Sequence, residues 1–227
     1  MPIFGEFETF GEPQVTASAK DYFSTVWKVR KIGEPGERVY ILKVISPRRR
    51  RNRDEATEAQ LEADRGLEFV GVIKQVKQAL ADGGRCLAPI HDFGTAVEGV
   101  WYVTDYCERV SLKALVNRQG QVDDAALRQV VYSIVAGCTS LARTSGRSHG
   151  NLKLSNVLRG GQNQPLRKTP LLLVDPMPVP SKQISTLDSG DRRSVEQTVH
   201  NIFEVQDLKA IGEIILQLVE GRVIESG

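Results

Sequence analysis

The spacing of apolar residues changes about halfway along the chain. Up to residue 106, short runs rich in β-branched and aromatic residues alternate with turns that contain Gly or Pro, which is typical of strands. Beyond that point, apolar residues recur every three or four positions, as on the buried face of a helix. The pattern predicts an α+β protein in two parts: residues 1–106 form a small antiparallel sheet with one helix, and residues 107–227 are mainly helical.

The first part contains four clear strand candidates: residues 23–30, 38–45, 87–93 and 99–106. Residues 1–20 are expected to form strand fragments and loop, because Gly and Pro are scattered through them. A helix is predicted over residues 54–81, with interruptions near Gly66 and Gly71. The run 48–53, with five arginines, could bind anions, but the acidic residues that follow it favour a solvated loop.

The second part is predicted to hold a buried helix over residues 127–141, with Asp123 or Asp124 as its N-cap. A polar loop over 159–170 and an apolar strand over 171–174 follow. Residues 176–203 contain three prolines and little periodicity, which predicts an irregular loop. Helical spacing returns from Leu208 and stops at Gly221.

The composition excludes several classes of protein. A formal net charge of +2 gives no case for nucleic acid or a membrane surface as partner. We find neither a run of about 20 apolar residues nor a signal-peptide pattern, so a cytoplasmic protein is expected. Cys86, Cys107 and Cys138 are widely spaced, which favours buried thiols over a metal site or disulfides.

One stretch carries recognisable chemistry. Residues 149–156 read HGNLKLSN and precede an apolar run that ends on Asp175. This order resembles the catalytic loop of the protein-kinase superfamily, H-R-D-L-x-x-x-N. Asn151 stands where the family has the Asp that accepts the substrate's proton. An amide oxygen accepts hydrogen bonds but is barely basic, so the resemblance implies a kinase-like fold without its usual base.

Other motifs follow in the family's order. Residues 41–44 (ILKV) resemble the strand with the ATP-anchoring lysine, residues 102–107 resemble the strand that enters the interlobe hinge, and residues 111–115 resemble the short helix after it. Residues 207–212 resemble the start of the large helix of the C-terminal lobe. The resemblance covers roughly residues 20–222 and implies a two-lobed protein-kinase-like fold.

The resemblance also implies roles for individual residues. Candidates for nucleotide binding are Val26, Lys43, Thr104 and Lys153, and candidates for holding magnesium with ATP are Asn156 and Asp175. His149 and Asp207 are expected to be structural: His149 packs against the segment that begins at Asp175, and Asp207 accepts hydrogen bonds from the loop backbone. From the residues alone, Asn156 could equally brace its loop, and Asp175 could cap a turn before Pro176.

Four departures from the family pattern bear on activity. Asn151 is the first. The second departure lies in the phosphate-binding loop, where three glycines of the family are replaced by Ala19, Asp21 and Ser24. The Asp21 carboxylate would repel phosphate there. Third, neither Glu68 nor Gln75 fits cleanly as the helix residue that pairs with the lysine. Fourth, residues 176–206 contain no A-P-E motif, which normally completes the substrate platform.

The main hypothesis is therefore a pseudokinase: a catalytically inactive, kinase-like regulatory or scaffolding module that binds ATP and Mg²⁺ weakly or not at all. The string HGNLKxSN also resembles the kinase-homology domains of receptor guanylate cyclases and of many plant receptor-like pseudokinases. A weak or atypical kinase-fold transferase and an interaction domain without nucleotide remain alternatives. The C-terminal lobe is expected to be truncated after the 208–219 helix, which predicts a protein partner, a homodimer or further domains, and no nucleic acid or membrane.

Overall fold

The structure is a computed structural model that describes residues 2–19, 22–36, 38–47, 55–106, 111–160, 165–177 and 192–223. The chain divides into two compact units. Unit 1 comprises Met1–Lys74 and Pro89–Cys107, and unit 2 comprises Gln75–Ala88 and Glu108–Gly227. The predicted change of lobe at residue 107 lies outside the described residues, as does the arginine run at 48–53.

Unit 1 is built on a six-stranded antiparallel sheet with the order β1-β2-β3-β4-β6-β5. Its strands are β1 (Ile3–Phe4), β2 (Phe7–Ala19), β3 (Tyr22–Lys31), β4 (Tyr40–Pro47), β5 (Ile90–Ala96) and β6 (Gly99–Asp105). Lys43 of β4 lies directly opposite Tyr102 of β6. The prediction that residues 38–45 and 100–106 share one sheet is thereby confirmed.

The N-terminal segment is more regular than predicted. β2 is a 13-residue strand in place of the expected fragments and loop. Its pairing with β3 is irregular between Phe10 and Gln14, where residues 11–13 of β2 face only Trp27 of β3. Gly11 adopts a φ of 71° there. The bulge therefore takes up the Gly and Pro that suggested a loop, and the strand continues past them.

Helix α1 (Glu55–Ala81) was predicted with interruptions at Gly66 and Gly71, but it runs through both without a break. Each helical glycine costs about 1 kcal/mol relative to alanine. Phe69, Val72 and Ile73 are all at most 5% exposed. Burying such side chains contributes about 1.5–3 kcal/mol each, which outweighs the two glycines. The predicted turn after α1 is confirmed, with Gly83 at a φ of 81°.

Unit 2 contains the helices α2 (Leu112–Gln119), α3 (Asp124–Ser145) and α4 (Arg192–Glu220), and the antiparallel pair β7 (Val157–Arg159) and β8 (Leu171–Leu173). Short 3₁₀ helices lie at Leu154–Asn156 and Leu166–Lys168. The predicted N-cap of α3 is confirmed, because the Asp123 carboxylate accepts the Ala126 N–H at 2.7 Å. These elements make unit 2 mainly helical, as predicted.

Helix α3 is the centre of unit 2. It packs against β8, the second 3₁₀ helix and α4. At Gly137 the approach is close: a Cβ there would lie 2.6 Å from Leu173 Cδ1 and 3.0 Å from the Cys86 carbonyl oxygen. Among the described helices, α3 alone is long and apolar enough to cross a membrane by length and composition, a test that the core helix of a soluble protein also passes.

Helix α4 begins earlier than the sequence suggested. The predicted irregular loop over 176–203 is wrong for residues 192–203, which are helical. All three prolines of that stretch lie at or before residue 180, so they could not break a helix that starts at Arg192. Residues 178–191 lie outside the described part of the chain.

Candidate functional site

Residues 147–156 connect α3 to β7 and form the loop that the sequence singled out. The Asp207 carboxylate, on α4, accepts the His149 backbone N–H at 2.6 Å and the Gly150 backbone N–H at 2.9 Å. Gly150 has a φ of 72°, a conformation that glycine adopts without strain. Asp207 therefore holds the loop backbone, in the role that the resemblance implied.

The Asp207 carboxyl is only 6% exposed. Burial raises its pKa above the ordinary value, because the charged form is desolvated. The N–H groups of Gly150 and His149 and the positive charge of Arg147 oppose this rise. The carboxylate is thus a buried acceptor whose charge is balanced by donors from the loop.

Arg147 is a second fixed point of the loop, and the sequence did not single it out. It is 7% exposed. Its guanidinium donates from Nε to the Ser148 carbonyl at 3.0 Å, from one terminal nitrogen to Gln75 Oε1 at 3.2 Å, and from the other to the Met177 carbonyl at 2.6 Å. Burial lowers its pKa to about 10, although Asp207 favours the charged form. Arg147 thus joins α1, the loop and the segment after β8.

His149 is completely buried. Burial and the neighbouring charge of Arg147 lower its pKa to about 3, more than Asp175 and the Val174 backbone raise it. The ring nitrogens make no hydrogen bond of standard geometry with residues in the described part of the chain. A neutral, packed imidazole is consistent with a structural role and provides no acid or base near neutral pH.

Asn151 and Asn156 hold the segment around Asp175. The Asn151 amide nitrogen donates to the Asp175 carbonyl at 2.8 Å, and the Asn156 amide nitrogen donates to the Asn151 carbonyl at 2.8 Å. The Val174 N–H in turn donates to the Asn156 carbonyl at 3.0 Å. In this arrangement Asn151 is a hydrogen-bond donor, a task that a carboxylate could not perform.

Asp175 has a φ of 59°, in the left-handed region that most residues avoid. Such a conformation costs on the order of 1–2 kcal/mol and persists only where surrounding contacts fix it. The hydrogen bond from Asn151 and the bond from the Met177 N–H to the His149 carbonyl at 3.1 Å supply these contacts.

The side chains of Asn156 and Asp175 fit a magnesium ion that arrives with a nucleotide. Both offer hard oxygen ligands, and the Val174 N–H bond brings the two residues together within unit 2. In the part of the chain that the structure describes, no group of three or more His, Cys, Asp or Glu could hold a metal alone. Magnesium commonly completes such a site with phosphate oxygens and water.

Three nucleotide candidates lie in unit 1. Val26 of β3 and Tyr102 of β6 are both directly opposite Lys43 of β4, and Thr104 is two residues beyond Tyr102. Side chains directly opposite or two apart share one face of a sheet. Val26, Lys43 and Thr104 therefore lie on the same face. Lys153, the fourth candidate, is exposed on the loop of unit 2.

Two of the four departures from the family pattern, the phosphate-binding loop and the helix residue that pairs with the lysine, involve residues that the structure describes. Ser24 is a fully buried residue of β3 opposite Thr16, and Ala19 and Tyr22 are paired at the end of the β2–β3 hairpin. Asp21 lies outside the described residues. Gln75 uses its side-chain oxygen on Arg147, which leaves that oxygen less suited to a lysine. Glu68 lies on α1.

Comparison with solved structures places this geometry in a known fold. A Rad53 structure in complex with AMP-PNP matches with a TM-score of 0.62 and 18% identity, over 98% of this chain and 50% of that one. Two double mutants of the PknI kinase domain from Mycobacterium tuberculosis match with TM-scores of 0.57 and 0.56 at 16% identity, over 97% of this chain and 75% and 80% of theirs. The chain thus spans half the length of the Rad53 chain that it matches.

No family model and no curated protein sequence matches the chain. At these identities the likeness to the solved structures establishes the fold and not the activity. The predicted fold class is confirmed: the chain has a protein-kinase-like fold, with an antiparallel-sheet N-terminal part and a helical C-terminal part.

Proposed function

We propose that this protein is a pseudokinase: a regulatory or scaffolding module that does not transfer phosphate to protein substrates. One observation carries the proposal. At the position of the catalytic base, the side-chain amide of Asn151 donates a hydrogen bond to the Asp175 carbonyl. The residue therefore braces the neighbouring segment and has no basic atom to accept a proton from a substrate hydroxyl.

Loss of the base alone typically reduces a rate by about 10²–10⁴-fold, so other departures must contribute to inactivity. Phosphoryl transfer depends mainly on positioning and electrostatics. The glycines expected near Ala19 and Ser24 and the A-P-E motif are absent from the sequence. Together with Asn151, these losses remove the base, the phosphate cradle and the substrate platform.

The experiment is radiolabel transfer from ATP to generic substrates and to the protein itself, with the variants Lys43→Ala and Asp175→Ala. We expect no incorporation above background in any of the three. Incorporation that disappears in both variants would contradict the proposal and favour a weak or atypical transferase. Asn151→Asp should not create activity, and it should lower stability by about 1–3 kcal/mol, because the donor to the Asp175 carbonyl is lost.

We further propose that the module binds ATP with Mg²⁺ weakly. Lys43 of unit 1 supplies a cation for phosphate, and Asn156 and Asp175 of unit 2 supply oxygen ligands for the metal. AMP-PNP, which the Rad53 structure contains, is a suitable non-hydrolysed probe. A thermal-shift titration with and without Mg²⁺ tests this, since a ligand at 100 times its Kd stabilises a protein by about 2.7 kcal/mol.

Three variants make the titration specific. Asp21→Gly should tighten binding, because two like charges at about 4 Å cost on the order of 1–4 kcal/mol. Asp175→Asn should weaken Mg²⁺-dependent binding, and Lys168→Ala serves as a control on an exposed lysine of unit 2 outside the candidate site. Absence of a shift in every protein would favour the interaction domain without nucleotide.

A regulatory module needs a partner, and we propose a protein partner or a second copy of the chain. Within the described part of α4, Val205, Leu208, Leu216 and Val219 are 47–64% exposed. Sedimentation equilibrium separates a homodimer from a monomer that awaits another protein. The described cysteines, Cys86 and Cys138, are free thiols, which suits the cytoplasmic location that we propose.

A further inference from the structure

The segment that carries Asp175 is fixed on both sides. Before Asp175, the Val174 N–H donates to the Asn156 carbonyl at 3.0 Å. After it, both backbone polar groups of Met177 are hydrogen-bonded to residues of the loop, the N–H at 3.1 Å and the carbonyl at 2.6 Å. Asp175 and Pro176 therefore join two fixed points of unit 2.

The turn of the chain between these two points falls on Asp175. The proline ring fixes the φ of Pro176 at about −65°, so Pro176 cannot adopt a left-handed conformation. Asp175 does so, with a φ of 59°. A residue other than glycine keeps this conformation only where its surroundings impose it. The contacts that hold Met177 therefore help to impose the backbone conformation of Asp175, which sets the direction of its carboxylate.

Arg147 makes the stronger of the two contacts with Met177. Its donor is charged, and the bond of 2.6 Å is shorter than the bond of 3.1 Å from the Met177 N–H. The guanidinium is itself held, because it also donates to the Ser148 carbonyl and to Gln75 Oε1 on α1. Arg147 is only 7% exposed, so water has little access to replace these bonds.

We infer that Arg147 is a positioning residue for the metal site: by holding Met177, it orients the Asp175 carboxylate as a ligand for Mg²⁺. The inference rests on the proposed Mg²⁺-dependent nucleotide binding, and it adds to that site a residue that acts through the backbone rather than by contact with the metal. Replacement of residues that orient metal ligands typically lowers metal affinity by about 10–100-fold.

The sign of the effect separates positioning from electrostatics. Arg147 is positively charged, so its charge alone opposes a cation held at Asp175. Electrostatics alone predicts that Arg147→Met tightens Mg²⁺ binding and that Arg147→Lys, which keeps the charge, leaves it unchanged. Positioning predicts that both variants weaken Mg²⁺ binding, because neither side chain has the planar fork that reaches Met177 and Gln75 together.

The measurement is the Kd of AMP-PNP for the whole chain by calorimetry, once with Mg²⁺ and once with EDTA. The Kd in EDTA divided by the Kd in Mg²⁺ reports the contribution of the metal. Partial unfolding raises both constants equally and leaves this ratio unchanged. We expect the ratio to fall by about tenfold in Arg147→Lys and in Arg147→Met, towards the value of Asp175→Asn. Gln75→Leu should lower it by a smaller factor, because the guanidinium keeps its two carbonyl acceptors.

Ile134→Val is the control for stability. Ile134 is a fully buried residue of α3, outside the loop, and the change removes one buried carbon from the core. The variant should unfold at a lower urea concentration than wild type, yet its Kd ratio should equal that of wild type. A loss of stability by itself is thereby separated from a loss of positioning.

A second measurement needs no ligand. Glycine adopts a φ of 59° without strain and alanine does not, so Asp175→Gly should unfold at a higher urea concentration than Asp175→Ala. If Arg147 helps to impose this conformation, the difference between the two variants should shrink when Arg147→Lys is added to both. This comparison tests positioning apart from nucleotide binding.

Three results would overturn the inference: a Kd ratio in Arg147→Lys equal to that of wild type, a ratio that rises in Arg147→Met, or a difference between glycine and alanine at residue 175 that Arg147→Lys leaves unchanged. If the Arg147 variants fail to fold, an unchanged ratio in Gln75→Leu overturns it. A wild type that binds AMP-PNP equally with and without Mg²⁺ would remove the proposed metal site and the inference with it. A metal-dependent wild type with unaffected variants would remove the inference alone.

Discussion

Replacing Arg147 by methionine would remove the guanidinium while keeping much of the side chain's apolar length. Three acceptors lose their donor: the Ser148 and Met177 carbonyls and Gln75 Oε1. Hydrogen bonds from a charged group contribute about 1.5–3 kcal/mol each, or about 4.5–9 kcal/mol together. The change also leaves the buried Asp207 without its nearby positive charge.

The opposing term is the cost of burying the charge. Burial lowers the pKa of Arg147 from 12.5 to about 10. Since one pKa unit corresponds to about 1.36 kcal/mol, that cost is on the order of 3 kcal/mol. The difference predicts that Arg147→Met lowers the free energy of unfolding by about 1–6 kcal/mol. This range includes the loss of about 3–5 kcal/mol that is usual when one partner of a buried ion pair is removed.

Urea unfolding measures this, with two signals that separate the units. Both tryptophans, Trp27 and Trp101, belong to unit 1, so their fluorescence reports that unit, while far-ultraviolet circular dichroism is dominated by the helices. Arg222→Met is the control, because Arg222 is 72% exposed and pairs with Glu220 at the surface, where ion pairs contribute at most about 1 kcal/mol.

The reasoning is refuted if Arg147→Met and Arg222→Met unfold at the same urea concentration by circular dichroism. A double-mutant cycle with Gln75→Leu then divides the effect. A coupling energy near zero would mean that the 3.2 Å bond to Gln75 contributes nothing, and that the change comes from the two carbonyl contacts and the charge terms.

Two further predictions concern unit 2. The pKa of His149 is about 3 in the folded protein and 6.5 when unperturbed, so the unfolded chain binds more protons between these values. Stability should therefore fall as the pH is lowered from 6.5 towards 3, by at most about 1.4 kcal/mol per pH unit, and His149→Phe should show a shallower dependence in urea titrations at each pH. Gly137→Ala should cost about 1–3 kcal/mol in urea unfolding, because its Cβ would lie 2.6 Å from Leu173 Cδ1 and 3.0 Å from a backbone oxygen. Gly212→Ala, whose Cβ would have nothing within 4 Å, should gain up to about 1 kcal/mol in the same measurement. Equal effects of the two alanines would contradict the packing argument.

Motif order predicted the fold well because each motif combines a local pattern with a fixed place in the chain. The strand around Lys43, the helix after Ser111 and the loop at His149 were all identified correctly for this reason. The errors came from reading Gly and Pro as breaks. Gly66, Gly71 and Pro13 lie inside regular elements, where buried side chains or a bulge outweigh a local preference of about 1 kcal/mol.

The candidate site was predictable only where a side chain has a characteristic partner in its motif. Asp207 was assigned correctly to the loop backbone. Arg147 and Ser148 were missed because neither periodicity nor motif marks a buried arginine or an unsatisfied serine. Their surroundings come from Gln75, Met177 and α4, which are far apart in the chain. The sequence offered one signal for these two residues: they lie directly between Gly146, which caps α3, and His149.

The left-handed conformation of Asp175 permits a test that does not depend on its side-chain contacts. Asp175→Gly and Asp175→Ala both remove the carboxylate, so any interaction of that group is lost equally. They differ in the cost of a φ of 59°, which is about 1–2 kcal/mol for alanine and negligible for glycine. Glycine loses about 0.5–1 kcal/mol through its freer unfolded chain. The glycine variant should therefore be the more stable, by up to about 1.5 kcal/mol, in urea unfolding followed by circular dichroism. A more stable alanine variant would mean that the hydrogen bonds from Asn151 and Met177 do not hold this residue in the left-handed region.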